Sequence, residues 1–380
     1  MPNNLGRNGT AEAIRPSRNV RSATQVRSFR LSSLVRSFSA VTYLFFATML
    51  VAHGEACDDQ AKQLSPGTVN VRIDNDMFGG LGQDQGYSNG FLVSWVSPNL
   101  VDFRDDPCLP LPVRGLNSFL TWLQPEGFDE QNMTAGIGQV IYTPSDNKST
   151  ELIREDRPYA GALLLGVGYN ARRNSWLRTT QIRIGMVGPS AQAGEVQNGW
   201  HDIIGIDQFN GWDNQLQDEP VFQVQHERRK RLARTDIESD WGWDLTGHWG
   251  GSLGNFATYA NAGWEWRAGY KLPDDFGTAP LRPAGENTSP FHSLPARSWS
   301  GHAFIAADIR GVLYDITLDG NTFRSSHSVD KRPIVADLGY GIAIYRGPWR
   351  IALARYLRSR EFSGQDEDPR YGTITIGRRF

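Results

Sequence analysis

Ile334-Val-Ala-Asp-Leu-Gly-Tyr-Gly-Ile-Ala-Ile344 is the stretch whose reading decides the fold. Ile334, Ala336, Leu338, Tyr340, Ile342 and Ile344 occupy every second position. Val335, Asp337, Gly339, Gly341 and Ala343 stand between them. A period of two belongs to a β-strand, whose side chains alternate between faces. The first set suits lipid, while an aspartate and two glycines suit a crowded polar interior. A soluble sandwich would turn its polar residues outward and show few tryptophans there.

The same period recurs along the chain. Thr258, Ala260, Ala262, Trp264, Trp266 and Tyr270 alternate with Asn261, Glu265 and Arg267. Leu163, Leu165, Val167 and Tyr169 alternate with glycines and Leu164, and Thr180, Ile182, Ile184 and Met186 with Gln181 and Arg183. Trp241, Trp243, Leu245 and Trp249 form one set, and Trp349, Ile351, Leu353 and Leu357 another. Aromatic residues near strand ends fit the interfacial girdles of membrane barrels. The last strand closes on a C-terminal Phe380, as terminal strands of bacterial outer-membrane barrels do.

Twelve strands are predicted: 68–76, 87–97, 132–142, 158–172, 176–188, 220–233, 239–249, 255–271, 297–313, 331–346, 348–362 and 370–380. An even number lets an antiparallel barrel close with both ends on one side. The fold class is therefore all-β: a twelve-stranded antiparallel transmembrane β-barrel with long extracellular loops. The connection at 189–219 is long enough to include a helix. The connection at 98–131 is also long, although it falls on the periplasmic side, and carries a possible helix at Leu116 to Leu123.

Bulk composition agrees. The 380 residues carry a net charge of −2, which gives no reason to expect nucleic-acid binding. A mean hydropathy of −0.44 is too polar for a helical membrane protein. It is compatible with a barrel, whose strands average apolar with polar. An Arg- and Ser-rich stretch followed by the apolar run Ala40 to Ala52 reads as a secretory leader, with cleavage near Ala56. A transmembrane anchor is the competing reading. Residues 1–56 are thus expected to be extension and signal peptide, and residues 57–380 the barrel. Export permits a disulfide between Cys57 and Cys108, the two cysteines, although sequence gives no distance; Cys57 as a lipidated first residue is the other option.

The densest polar motifs fall at one end of the predicted barrel. They are Asp74-Asn75-Asp76, Tyr87-Ser88-Asn89-Gly90, the segment Tyr142 to Lys148, and Gln197-Asn-Gly-Trp-His201. Acid, hydroxyl, amide, lysine and histidine on one rim are what a hydrolytic site needs. His201 is the best general base, because an imidazole titrates near working pH. Asp76, helped by backbone carbonyls, can hold a hard cation such as Ca²⁺, which would polarise an ester carbonyl. Ser88 is either a nucleophile or a group that orients water or substrate. Lys148 can pair with a phosphate as a point charge. Each has a plainer reading. His201 beside Trp200 is equally an interface or loop-packing histidine, Asp-Asn-Asp at a strand end is common turn chemistry, Ser88 lies in no nucleophile elbow, and Lys148 alone is a solvated loop charge.

These motifs also carry a likeness. Asn75-Asp76 with Asp84, Tyr87 to Gly90, Tyr142 to Lys148, and Gly188-Pro-Ser with Gln197 to His201 resemble the lipid A 3′-O-deacylases of Gram-negative outer membranes. Gly211-Trp212 and Glu361 to Gln365 are similar to the wider family, so the likeness runs through most of the mature chain in order. It implies a Ca²⁺-dependent site at the outer rim that releases the 3′-linked acyloxyacyl chain of lipid A or lipopolysaccharide. The implied catalytic residues are Asn75, Asp76, Ser88 and His201, with Asp76 at the metal and Lys148 near a substrate phosphate. Ser88 stands where a relative has threonine, and Phe209 where an aromatic hydroxyl would be expected. A monomer in contact with outer-membrane lipids, with its site facing the cell surface, completes the expectation. The alternative from a different class is a non-enzymatic barrel, a porin or a structural or adhesive protein.

Overall fold

The computed structural model describes residues 66–78, 86–106, 108–236, 240–278 and 298–380. The predicted leader at 1–56, Cys57 with its pairing to Cys108, and Asp84 lie outside the described residues. Twelve strands form one closed antiparallel barrel, each paired with its neighbours in sequence, and β1 closes on β12. In order they are β1 (Thr68–Asn75), β2 (Gly86–Val96), β3 (Glu130–Thr143), β4 (Ala160–Arg173), β5 (Trp176–Val187) and β6 (Glu219–Asp236), then β7 (Trp241–Gly254), β8 (Ala257–Tyr270), β9 (Trp299–Asp315), β10 (Ile334–Arg346), β11 (Trp349–Arg358) and β12 (Arg370–Arg379). Among the described residues three α-helices lie in the connections: α1 (Leu111–Phe119), α2 (Ala193–Ile204) and the single turn α3 (Ile316–Asp319). Among the described residues no helix is long and apolar enough to cross a membrane.

The alternation read in the sequence is the wall of the barrel. Leu338, Ile342, Leu165 and Ile184 are 43%, 45%, 44% and 56% exposed on the outside of a molecule without a lipid partner. Asp337, one residue from Leu338, is buried in the interior, and Arg183 lines an internal cavity. Closure satisfies every strand edge, which is the condition for strands to cross a bilayer.

The interior is packed with ion pairs rather than open. Asp337 on β10 accepts from Arg358 Nε at 2.7 Å and from Arg310. Arg358 also donates to Glu361 at 3.0 Å, and Glu361 accepts from Arg157 at 2.9 Å. At the opposite rim the β8–β9 connection turns into the barrel. Its Asp274 accepts from Arg172 at 2.5 Å and pairs with Arg231 at 2.7 Å. Its Asp275 accepts from Arg267, and Phe276 is buried against Arg172 and Arg231. Buried charges persist when they are paired, as Asp337, Arg358 and Glu361 are here.

Four sequence expectations need correction. β7 runs to Gly254, not 249, because Gly250 and Gly251 continue the ladder rather than end it. A Cβ at Gly250 would collide with the His226 carbonyl, so the glycine is needed for close strand approach. β11 stops at Arg358, not 362, where that side chain turns to Asp337 and Glu361. Tyr169 was expected on the lipid face, yet it is buried. Phe103 meets its ring edge-on at 4.9 Å, and its hydroxyl donates to Asn117 Oδ1 at 2.6 Å, so the β2–β3 connection covers it from outside. The helix of that connection also begins earlier than predicted, at Leu111, with Pro110 as N-cap and Pro112 in the first turn. A separate short 3₁₀ turn follows at Thr121–Leu123.

Candidate active site

The ends of β1, β3 and β5 and the starts of β2, β4 and β6 meet at one rim. β1 ends at Asn75, and β2 begins with an irregularity of register between Tyr87 and Asn89. Ser88 is therefore the extra residue of a bulge, a device that re-aims a side chain out of the regular alternation. Its carbonyl accepts from Asn75 Nδ2 at 3.0 Å and from the Asp76 backbone N–H at 3.3 Å. The Asn75 amide oxygen in turn accepts from the Met77 N–H at 3.0 Å. Ser88 Oγ is hydrogen-bonded to the Thr143 hydroxyl at the end of β3. All four of Asn75, Asp76, Ser88 and Thr143 are buried.

Thr143 shows on which side of the wall this cluster lies. Gly136, Gly138, Val140 and Tyr142 of β3 line the internal cavity, so Gln139, Ile141 and Thr143 point outward. Gln139 Nε2 donates to the Ala191 carbonyl at 2.6 Å. Leu164 and Gly166 of β4 line the cavity as well, so Gly161 also faces out, and a Cβ there would overlap the Cβ of Ala193. The β5–β6 connection thus folds down against the outer wall of β3 and β4. Gly161 allows α2 to touch the wall, and the left-handed Gln192 turns the chain into the helix.

α2 carries Gln197 and His201 one turn apart, both fully buried on its wall-side face. His201 Nδ1 lies 2.6 Å from the Asp207 carbonyl oxygen. A carbonyl only accepts, so Nδ1 bears the hydrogen and Nε2 bears the lone pair. Nε2 accepts from Gln197 Nε2 at 2.9 Å, while Gln197 Oε1 is buried with no hydrogen-bond partner among the described residues. Gly205, at φ 75°, ends the helix by donating to the His201 carbonyl at 2.8 Å. The chain then doubles back, and Phe209 packs its ring 5.4 Å from the imidazole. Tyr159, at the start of β4, meets Phe209 at 6.0 Å. The face of α2 turned away from the wall mixes the exposed apolar side chains Val196 and Ile203 with the exposed carboxylates Glu195 and Asp202.

The residues singled out in the sequence separate into three places. Asn75, Asp76 and Ser88 form one hydrogen-bonded cluster at the β1–β2 rim. His201 lies with Gln197 under α2 on the same outer wall. Lys148 is exposed on the β3–β4 connection, its backbone N–H on Asp146 Oδ1 at 2.9 Å. The neighbouring Asn147 carbonyl accepts from the Asn210 N–H at 3.0 Å, which ties that connection to the segment after α2. Sequence reasoning missed Thr143 and the role of Asp207, whose contribution is a backbone atom. It named Gln197 only as part of a motif, although its i, i+4 spacing from His201 was a usable signal.

The oxygen atoms around Asp76 suit a hard cation. The Asp76 carboxylate stands beside the Ser88 carbonyl, which accepts from the Asp76 backbone N–H, and oxygen donors of this kind are what Ca²⁺ selects. Among the described residues no three acidic, histidine or cysteine side chains group as metal ligands, so a cation here would rely on one carboxylate and neutral oxygens.

Comparison with known proteins gives a family and a fold. The sequence profile of the family described as outer membrane protein LpxR matches residues 41–380. LpxR from Salmonella typhimurium has a similar structure, with a TM-score of 0.64 at 19% identity over 82% of this chain and 100% of that chain. The β domain of the Bordetella autotransporter BrkA matches more loosely, with a TM-score of 0.40 at 8% identity over 83% and 100% of the two chains. No curated protein sequence matches the chain.

Proposed function

The chain belongs to the family of outer membrane protein LpxR, and on that basis we propose that it is an outer-membrane esterase that hydrolyses the 3′-linked acyl chain of lipid A. The observation that carries this reading is the buried His201, held in its Nδ1–H form by the Asp207 carbonyl and located between the barrel wall and α2. A lone pair fixed at a buried position on the outer wall of a barrel is what acyl-chain chemistry requires and what a pore does not. The ion-paired interior, filled by Asp274, Asp275 and Phe276, argues against the porin alternative.

In the mechanism we favour, His201 Nε2 takes a proton from water as the water oxygen attacks the ester carbonyl carbon. The bond between that carbon and the sugar 3-oxygen then breaks, and the imidazolium returns the proton to the leaving oxygen. Such a base contributes about 10²–10⁴-fold in rate. Asn75 and Ser88 orient the acyl carbonyl, and Asp76 with the neighbouring carbonyl oxygen would hold Ca²⁺. A bound Ca²⁺ would supply positive charge for the oxygen of the ester carbonyl. Lys148 meets a lipid A phosphate at the rim, which faces the cell surface. Val196 and Ile203 of α2 border the acyl chains, and Glu195 and Asp202 on the same helix stay at the polar boundary.

The test is mass spectrometry of lipid A from cells expressing the protein, with and without Ca²⁺ in the medium. Loss of one 3′-linked acyl or acyloxyacyl mass supports the reading. Unchanged lipid A in both media, with the folded barrel present in the outer membrane, overturns it.

A further inference from the structure

The rim at which β1 begins and β12 ends, the terminal rim, has a ring of exposed aromatic residues with one sector filled from outside the barrel. Trp176 opens β5, Trp241 opens β7, Trp299 opens β9 and Trp349 opens β11, each between 37% and 55% exposed. Three of them carry a stacked cation: Lys230 lies 4.9 Å from the centre of the Trp176 ring, Arg346 4.8 Å from Trp299 and Arg378 5.5 Å from Trp349. Aromatic rings mark the level of the headgroups on a membrane barrel, and cations beside them face lipid phosphates. No strand of the β2–β4 sector places an exposed tryptophan at this rim among the described residues.

α1 occupies that sector. Its inward face, Val113, Asn117 and the following Leu120, is buried, and Asn117 is bonded to the outward-pointing Tyr169 of β4. Leu165 lies on the same face of β4, about 13 Å along the strand, and is part of the lipid-exposed wall. The opposite face of the helix and the turn after it are apolar and bare. Leu111 and Phe119 are each 77% exposed, Trp122 67% and Leu116 40%. A bare apolar face of this size in a water-filled compartment would be costly. Here it is continuous with a surface that already meets hydrocarbon.

We propose that α1 and Trp122 form an interfacial anchor, lying in the plane of the bilayer with Phe119 and Trp122 at the headgroup–acyl boundary of the leaflet at the terminal rim. The anchor closes the aromatic ring and seats the phospholipid phosphates at the level set by the three cation–tryptophan pairs. The partner is lipid rather than another protein, since an amphipathic helix with aromatic residues on its apolar face binds an interface by buried area.

The experiment uses the full barrel in vesicles of phosphatidylethanolamine and phosphatidylglycerol. A nitroxide at Phe119→Cys is compared with one at Leu165→Cys in the lipid-facing wall and one at the exposed Arg360→Cys in a rim connection. Access to oxygen and to a water-soluble nickel chelate is read at each. The expected result is loss of nickel access at 119 to the level found at 165. Nickel access at 119 equal to that at 360 overturns the proposal, and is the result a face reserved for a protein partner would give. Trp122→Cys reads the same face should Phe119→Cys fold poorly, as judged by the shift of the unboiled band on gels. In a barrel also bearing Leu111→Asp and Leu116→Asp, the label at 119 should regain nickel access. Its failure to do so would also count against a membrane-held helix.

Discussion

The Asp207 carbonyl oxygen lies 2.6 Å from His201 Nδ1, and this single backbone contact sets which imidazole nitrogen can act as a base. His201→Ala should lower deacylation by about 10²–10⁴-fold, the usual contribution of a general base. The barrel should still show the mobility shift of a folded protein on unboiled gels, because α2 lies outside the strand ladder. A folded variant that deacylates lipid A at the wild-type rate would remove His201 from the chemistry. Gln197→Ala should give a smaller loss with the pH profile displaced, since it removes a donor to Nε2 and not the base.

Ser88 separates two mechanisms. If water attacks, Ser88→Ala loses activity modestly and Ser88→Thr retains it, because a hydroxyl can still reach Thr143. If Ser88 were the nucleophile, Ser88→Ala would be inactive and a covalent acyl adduct would appear by intact-protein mass spectrometry on rapid quenching. Deacylation rates of the two variants, measured side by side, decide.

Gly161 is the contact point of α2 with the wall. Gly161→Val should push Ala193 away and displace His201, so activity falls steeply while the strand content seen by circular dichroism stays the same. Retained activity would mean that α2 need not touch β4.

Oxygen donors around a single carboxylate should give weak cation binding. Chelation should abolish activity, Ca²⁺ should restore it, and Mg²⁺ should restore it poorly because it demands regular octahedral geometry. Asp76→Asn should raise the Ca²⁺ concentration needed for half-maximal activity. Full activity in the presence of chelator would leave Asp76 with a structural role only.

Acid should loosen the acidic segment that fills the barrel. Burial alone would raise the Asp274 carboxyl, but Arg172 and Arg231 outweigh it and hold its pKa down at about 2. A folded pKa below the unfolded value, about 3.9, gives stability that is complete above that value and lost as pH falls towards 2. Amide-exchange protection over residues 272–278 should therefore drop between about pH 4 and pH 2, and Asp274→Asn should remove that dependence. Protection that stays constant across this range would show that the segment is held by other contacts.

The fold was legible because a membrane barrel writes its geometry in period two. Ile334 to Ile344 alternates without exception, and twelve such stretches fix strand number, order and closure. What was not legible depends on contacts at long range. Nothing near Tyr169 in sequence reveals that Phe103 and Asn117 will cover it, so periodicity alone assigned it to lipid. The glycines at 250 and 251 looked like a turn and are instead places where strands come close. The segment Leu272 to Thr278 read as a plain connection, although its two aspartates pair with arginines from three strands, Arg172, Arg231 and Arg267. At the candidate site, side-chain types marked His201, Asp76 and Ser88. The backbone carbonyl that fixes the imidazole and the outward direction of Thr143 needed three dimensions.

The position of α2 against the outer wall, instead of within the lumen, changes what concentration means for this protein. Under the proposed function, a site on the outer wall meets its substrate by two-dimensional diffusion in the leaflet. Its rate should then follow the mole fraction of lipid A in the surface and not the amount per volume. Diluting the substrate with inert detergent at constant total lipid A should slow the reaction, whereas adding buffer should leave it unchanged. Crowding of the leaflet, and the ordering of its acyl chains by divalent ions, then become controls on turnover that act before any residue of the chain is reached.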